Sequence, residues 1–92
     1  MNWEGWRAPT DQPLRECHVL VVDDEQVIAL DLQLILSDAG AIVVGPAITV
    51  AEGLSLAENE TLSAAVLDIR LNGGTIAPVA AALADRGVPM LF

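Results

Sequence analysis

The sequence predicts one α/β domain, a parallel sheet with helices on both faces. Three observations carry that expectation. Short, valine-rich apolar runs, of the kind found in strands covered on both sides, recur along the chain: HVLVV at 18–22, AIVVG at 41–45, LSAAVLD at 62–68 and VPMLF at 88–92. Segments with helical character alternate with them over short connections, which implies right-handed crossovers. The chain has 92 residues, enough for one domain at most.

Taken in order, residues 1–17 (MNWEGWRAPTDQPLREC) show no apolar period and contain Gly5, Pro9 and Pro13. They read as a flexible leader or linker, with Trp3 and Trp6 unusual for one. The domain proper is expected at 18–92. After HVLVV, the stretch EQVIALDLQLILSDAG has four helical turns and ends at Gly40, a natural residue just past a helix C-terminus. Its polar stripe is narrow (Asp31, Gln33, Ser37, Asp38), so this helix should pack on more than one side. AIVVG is a second strand, stopped by Gly45-Pro46. TVAEGLSLAENE opens with Thr49 and Glu52 at capping-box spacing and begins a second helix, which Gly53 weakens by about 1 kcal/mol. LSAAVLD is a third strand, and IRLNGGT a loop turning at Asn72-Gly73-Gly74. IAPVAAALADRG forms a third helix with Pro78 in its first turn, and VPMLF begins a fourth strand.

Thirteen acids face four arginines (Arg7, Arg15, Arg70, Arg86) and no lysine, for a formal charge of −9. That balance argues against nucleic-acid binding and against an anionic membrane surface. No run approaches a membrane span and no basic segment leads into an apolar N-terminal core, so a cytoplasmic protein is expected. Cys17 is the only cysteine, which excludes an intrachain disulfide and a cysteine-based zinc site; lone His18 reads as structural.

The chemistry lies in the acids. Asp23, Asp24 and Glu25 follow the first strand directly, and like charges about 4 Å apart cost roughly 4 kcal/mol per pair at an effective dielectric near 20. Asp68 ends the third strand at the same edge, where sheets of this class bind ligands. If the first and third strands are neighbours, the three aspartates converge. Asp24 as a helix N-cap and Glu25 as a first-turn charge form the plainer alternative, which does not account for Asp23 or Asp68. Converging hard oxygens suit Mg²⁺, and without a cation one carboxyl should hold its proton above the usual range. An aspartate beside bound Mg²⁺ can attack phosphorus and form an aspartyl-phosphate. No glycine-rich phosphate loop follows the first strand, no Gly-x-Ser-x-Gly elbow occurs, and the NGG turn alone is a weak signal.

An apolar strand closing in Asp-Asp-Glu, followed some 45 residues later by one closing in LDIRL, closely resembles the first two-thirds of a two-component response-regulator receiver domain. The resemblance covers residues 18–92. It implies a flavodoxin-like sheet of order 2-1-3-4 here, in the sequence β1-α1-β2-α2-β3-α3-β4. It further implies Asp68 as phospho-acceptor from a sensor histidine kinase or phosphotransfer protein, and Mg²⁺ held by Asp23, Asp24, Asp68 and the main-chain carbonyl of Arg70. Such a protein is a phospho-acceptor and not a turnover enzyme.

Against that pattern, the family's Ser/Thr after the fourth strand would fall about two residues past Phe92, and its lysine has no counterpart. The region of the family's fourth helix, fifth strand and fifth helix is also absent, so the chain reads as a truncated receiver. The first helix and the edge of the fourth strand should then expose apolar surface. A second function follows from this: a degenerate receiver that associates with other chains, including copies of itself, without a working phospho-switch.

Overall fold

A computed structural model describes residues 13–71 and 74–92. The first twelve residues of the expected leader, with Trp3 and Trp6, lie outside the described residues, as do Asn72 and Gly73. Residues 13–17 form a turn joined to the domain, in which the Leu14 N–H donates to the Ala39 carbonyl at 2.8 Å and the Ile42 N–H to the Cys17 carbonyl at 2.8 Å.

The elements are β1 (His18–Val22), α1 (Gln26–Asp38), β2 (Ile42–Ala47), α2 (Val50–Asn59), β3 (Ala64–Leu67), β4 (Arg70–Leu71), β5 (Gly74–Thr75), α3 (Ala77–Asp85) and β6 (Met90–Leu91). The main sheet is parallel with order β2-β1-β3-β6, so its four strands stand in the expected 2-1-3-4 arrangement. Leu20 and Val22 of β1 join Ala57 of α2 and Val79 and Leu83 of α3 in one core. Residues alternate across a strand, so Val19 and Val21 face the other side, where α1 packs against β1 and β2. Among the described residues no helix is long and apolar enough to cross a membrane.

Local chemistry explains most boundaries. Thr49 caps α2, its Oγ1 accepting from the Glu52 N–H at 3.1 Å. Pro78 occupies the first turn of α3. Gly40 follows α1 at φ +95°. Gly53 is fully buried beneath the sheet. A Cβ there would stand 3.2–3.3 Å from the methyls of Val22 and Val79, so the residue that weakens α2 intrinsically is also what lets the helix approach the core.

Three features depart from the sequence reading. β2 runs on through Gly45-Pro46 to Ala47, because the β1–β2 register shifts between Leu20 and Val22 and Gly45 takes φ +97°. As an edge strand, β2 tolerates proline. The loop after β3 contains a short antiparallel ladder, β4–β5, with Arg70 opposite Thr75 and Leu71 opposite Gly74. Finally, α1 does not pack on two sides as its narrow polar stripe suggests, but exposes apolar surface as the truncated-receiver reading expects: Ala29 is its one buried residue, and Val27 (75% exposed) and Ile35 (64%) face solvent. Beyond the α1 side, Leu91 of β6 is 66% exposed.

Candidate functional site

The acids occupy the carboxyl edge of the sheet because the strands deliver them there. Asp23 follows β1 and Asp68 follows β3, and the two strands are neighbours. Backbone bonds extend the ladders past the last strand residues: the Asp23 N–H donates to the Ala47 carbonyl at 2.9 Å, and the Asp68 N–H to the Val22 carbonyl at 2.8 Å. Asp23, Asp24 and Asp68 each present a carboxylate oxygen within 4.8 Å of the others. Asp23 is buried (7% exposed), while Asp24 and Asp68 are half-buried at the rim.

Two short turns orient the carboxylates. The Glu25 N–H donates to Asp23 Oδ1 at 2.9 Å, and the Arg70 N–H to Asp68 Oδ1 at 3.1 Å. Glu25 itself is the N-cap of α1, with no capping side-chain bond, so neither Asp24 at the cap nor Glu25 in the first turn describes this helix start. An open cleft of about 710 Å³ adjoins the cluster, lined by Asp24, Glu25, Asp68, Arg70 and Thr75 among others. Arg70 opens β4 two residues after Asp68. His18 opens β1 at the opposite, amino end, its main chain bonded to Ser63, and Cys17 beside it is half-buried, so neither reaches the acids.

Burial raises the Asp23 carboxyl above its ordinary range; the Glu25 N–H opposes this, and the charge of Asp68, a hydrogen bond shared with Asp68 and the charge of Asp24 reinforce it. The sign of the linkage follows. A carboxyl raised in the folded state contributes stability that is complete below its unfolded pKa and is lost as pH climbs through the folded one. Without a cation, Asp23 therefore weighs against folding at neutral pH. Asp23→Asn is expected to melt a few degrees above wild type in chelator at pH 7, with the difference shrinking as pH falls towards 4. Excess Mg²⁺ should reverse the order, since the variant has lost a hard oxygen donor. Thermal melts across that pH range, with and without Mg²⁺, check both statements.

Three carboxylate oxygens within 4.8 Å of one another, one of them from the buried Asp23, form a donor set that fits Mg²⁺. The β4–β5 ladder at the cleft rim is the part of the site that the sequence reading missed. Its strands are two residues long, too short for an alternating apolar pattern to declare itself.

Neither a family model nor a curated protein sequence matches the chain. Solved structures do. The response regulator PhyR from Brucella abortus matches with a TM-score of 0.76 and 33% identity, over 84% of this chain and 32% of that one. The BeF₃-activated conformation of SdrG from Pseudomonas melonis Fr1 matches with a TM-score of 0.67 and 41% identity, over 82% of this chain and 64% of that one. The chain thus spans about a third of the first and just under two-thirds of the second. Its strand order, its acid-bearing carboxyl edge and its identity to both over more than four-fifths of its length place it among the receiver domains of response regulators.

Proposed function

We propose that the chain is a phospho-acceptor of a two-component relay, taking a phosphoryl group on Asp68 from a sensor histidine kinase or phosphotransfer protein in the cytoplasm. The observation that carries this reading is the convergence of Asp23, Asp24 and Asp68 beside an open cleft. SdrG, a structural neighbour, adopts a BeF₃-activated conformation. Beryllium fluoride on a carboxylate imitates a phosphoryl group, which supports the same chemistry here.

In this reading Asp23, Asp24, Asp68 and the main-chain carbonyl of Arg70 hold Mg²⁺, which when bound neutralises charge on the transferring group. The Arg70 N–H fixes Oδ1 of Asp68, so the carboxylate meets the donor in one orientation. An Asp68 oxygen attacks phosphorus as the P–N bond of the phosphohistidine breaks. The electron pair leaves with the donor nitrogen, which is protonated, and an acyl phosphate remains. The chain does not turn over as an enzyme.

Intact-mass measurement with a small phosphoramidate donor tests the proposal: a single phosphoryl adduct should form with Mg²⁺ and fail to form in chelator. Absence of any adduct under both conditions sinks it. A second reading, self-association without a phospho-switch, is favoured by the exposed apolar side chains of α1 and β6. Light scattering on the same sample distinguishes it, since a strictly monomeric species removes its support.

A further inference from the structure

A phosphoryl group on Asp68 brings a charge of about −1.5 to −2 into a site that already holds Asp23, Asp24 and Glu25. A divalent cation shared among carboxylates leaves the outer phosphoryl oxygens in need of further donors. The chain has no lysine and four arginines to supply them. Arg7 lies outside the described residues. Arg15 precedes β1, at the amino ends of the strands. The Arg86 guanidinium donates to the Ala57 carbonyl in the last turn of α2. Among the described residues, Arg70 is the cation that lines the cleft beside Asp68.

Arg70 is placed there by a built element. In the β4–β5 ladder it stands directly opposite Thr75, and paired residues of antiparallel strands project to the same face. Arg70 and Thr75 both line the cleft and both are exposed, while the adjacent Leu71 and Ile76 are buried in the core. The alternation seats the ladder on the domain through its apolar residues and leaves Arg70 and Thr75 side by side on the wall of the cleft that Asp68 also lines. Thr75 Oγ1 accepts from the Ala77 N–H at a long 3.4 Å, which leaves its proton free to donate.

We propose that the Arg70 guanidinium and the Thr75 hydroxyl, paired across the β4–β5 ladder, bind the phosphoryl oxygens on Asp68. This rests on the phospho-acceptor reading and adds to it the residues that hold the anion. An arginine there offers several N–H donors and a charge that persists at any working pH.

Beryllium fluoride in the presence of Mg²⁺ serves as the probe, with affinities read by fluorine NMR on the full chain. Arg70→Gln should bind it about tenfold more weakly than wild type, as expected for a charge-assisted hydrogen bond, and Thr75→Val about threefold more weakly. Arg70→Lys should recover most of the lost affinity, and added salt should narrow the gap between wild type and Arg70→Gln. Mg²⁺ affinity is titrated separately for each variant, and beryllium fluoride affinities are compared at saturating Mg²⁺. Both side chains are exposed, so melting temperatures near wild type are expected and confirm that the variants fold. Wild-type affinity for beryllium fluoride in Arg70→Gln and Thr75→Val overturns this inference alone. Failure of wild type to bind it overturns the phospho-acceptor reading as well, a pattern readily told apart from the first.

Discussion

With Mg²⁺ and a phosphoramidate donor, the wild-type chain should gain one phosphoryl group and Asp68→Asn none. The expected effect is all or nothing because of where Asp68 sits. Asp23 is buried, is tied to the Glu25 N–H and does not line the cleft. Asp24 lies on the turn into α1. Asp68 alone follows a central strand, lines the cleft and has its Oδ1 held by the Arg70 N–H. An amide at that position has no carboxylate oxygen to attack phosphorus. Melts and Mg²⁺ titrations of Asp68→Asn separate loss of the acceptor from loss of the cation site. The variant should fold, and at a hundredfold excess of Mg²⁺ over Kd the wild-type gain is about 2.7 kcal/mol. Transfer to a different aspartate in the variant would count against Asp68.

Gly45→Ala should cost about 3 kcal/mol, lowering Tm by about 15 °C, and should weaken Mg²⁺ binding although residue 45 touches no carboxylate. The backbone at Gly45 has φ +97°, a conformation that L side chains rarely adopt, and an added Cβ would stand 2.7 Å from the Ala47 nitrogen and 2.9 Å from the Val21 oxygen. Both contacts are to backbone, so relief requires β1 and β2 to move apart. The same stretch supplies the Ala47 carbonyl that receives the Asp23 N–H. Displacing it displaces the buried ligand. Urea melts give the stability, and Mg²⁺ titration at a temperature where the variant remains folded gives the affinity. A variant with lowered Tm but unchanged Mg²⁺ affinity would break the link between the β1–β2 irregularity and the site.

The parts of this fold that were legible in the sequence are those written in local chemistry. HVLVV, the Thr49–Glu52 cap and Pro78 announce a buried strand, a helix start and a first turn, and the structure places each accordingly. The convergence of Asp23 with Asp68 needed only the further premise that β1 and β3 are neighbours, which the parallel order supplies. What stayed hidden depends on distant residues. Gly45-Pro46 reads as a stop unless the facing strand shifts its register to receive it. Gly53 reads as a defect until Val22 and Val79 are seen against it. The β4–β5 ladder pairs residues three and five positions apart in strands too short to carry a period.

Helix α1 contributes a single buried side chain, Ala29, whereas the β1, α2 and α3 side chains interlock on the opposite face. Native-state hydrogen exchange is expected to show two tiers: α1 opening locally at low free energy, and the interlocked layer exchanging only through global unfolding. The first turn of α1 hangs from the acid cluster, since the Glu25 N–H is held by Asp23 and the Glu25 carbonyl receives the Ala29 N–H. Loading the carboxylates is therefore expected to slow the opening of α1 without moving it. On that expectation, occupancy would change the lifetime of a helix while the average structure stays the same.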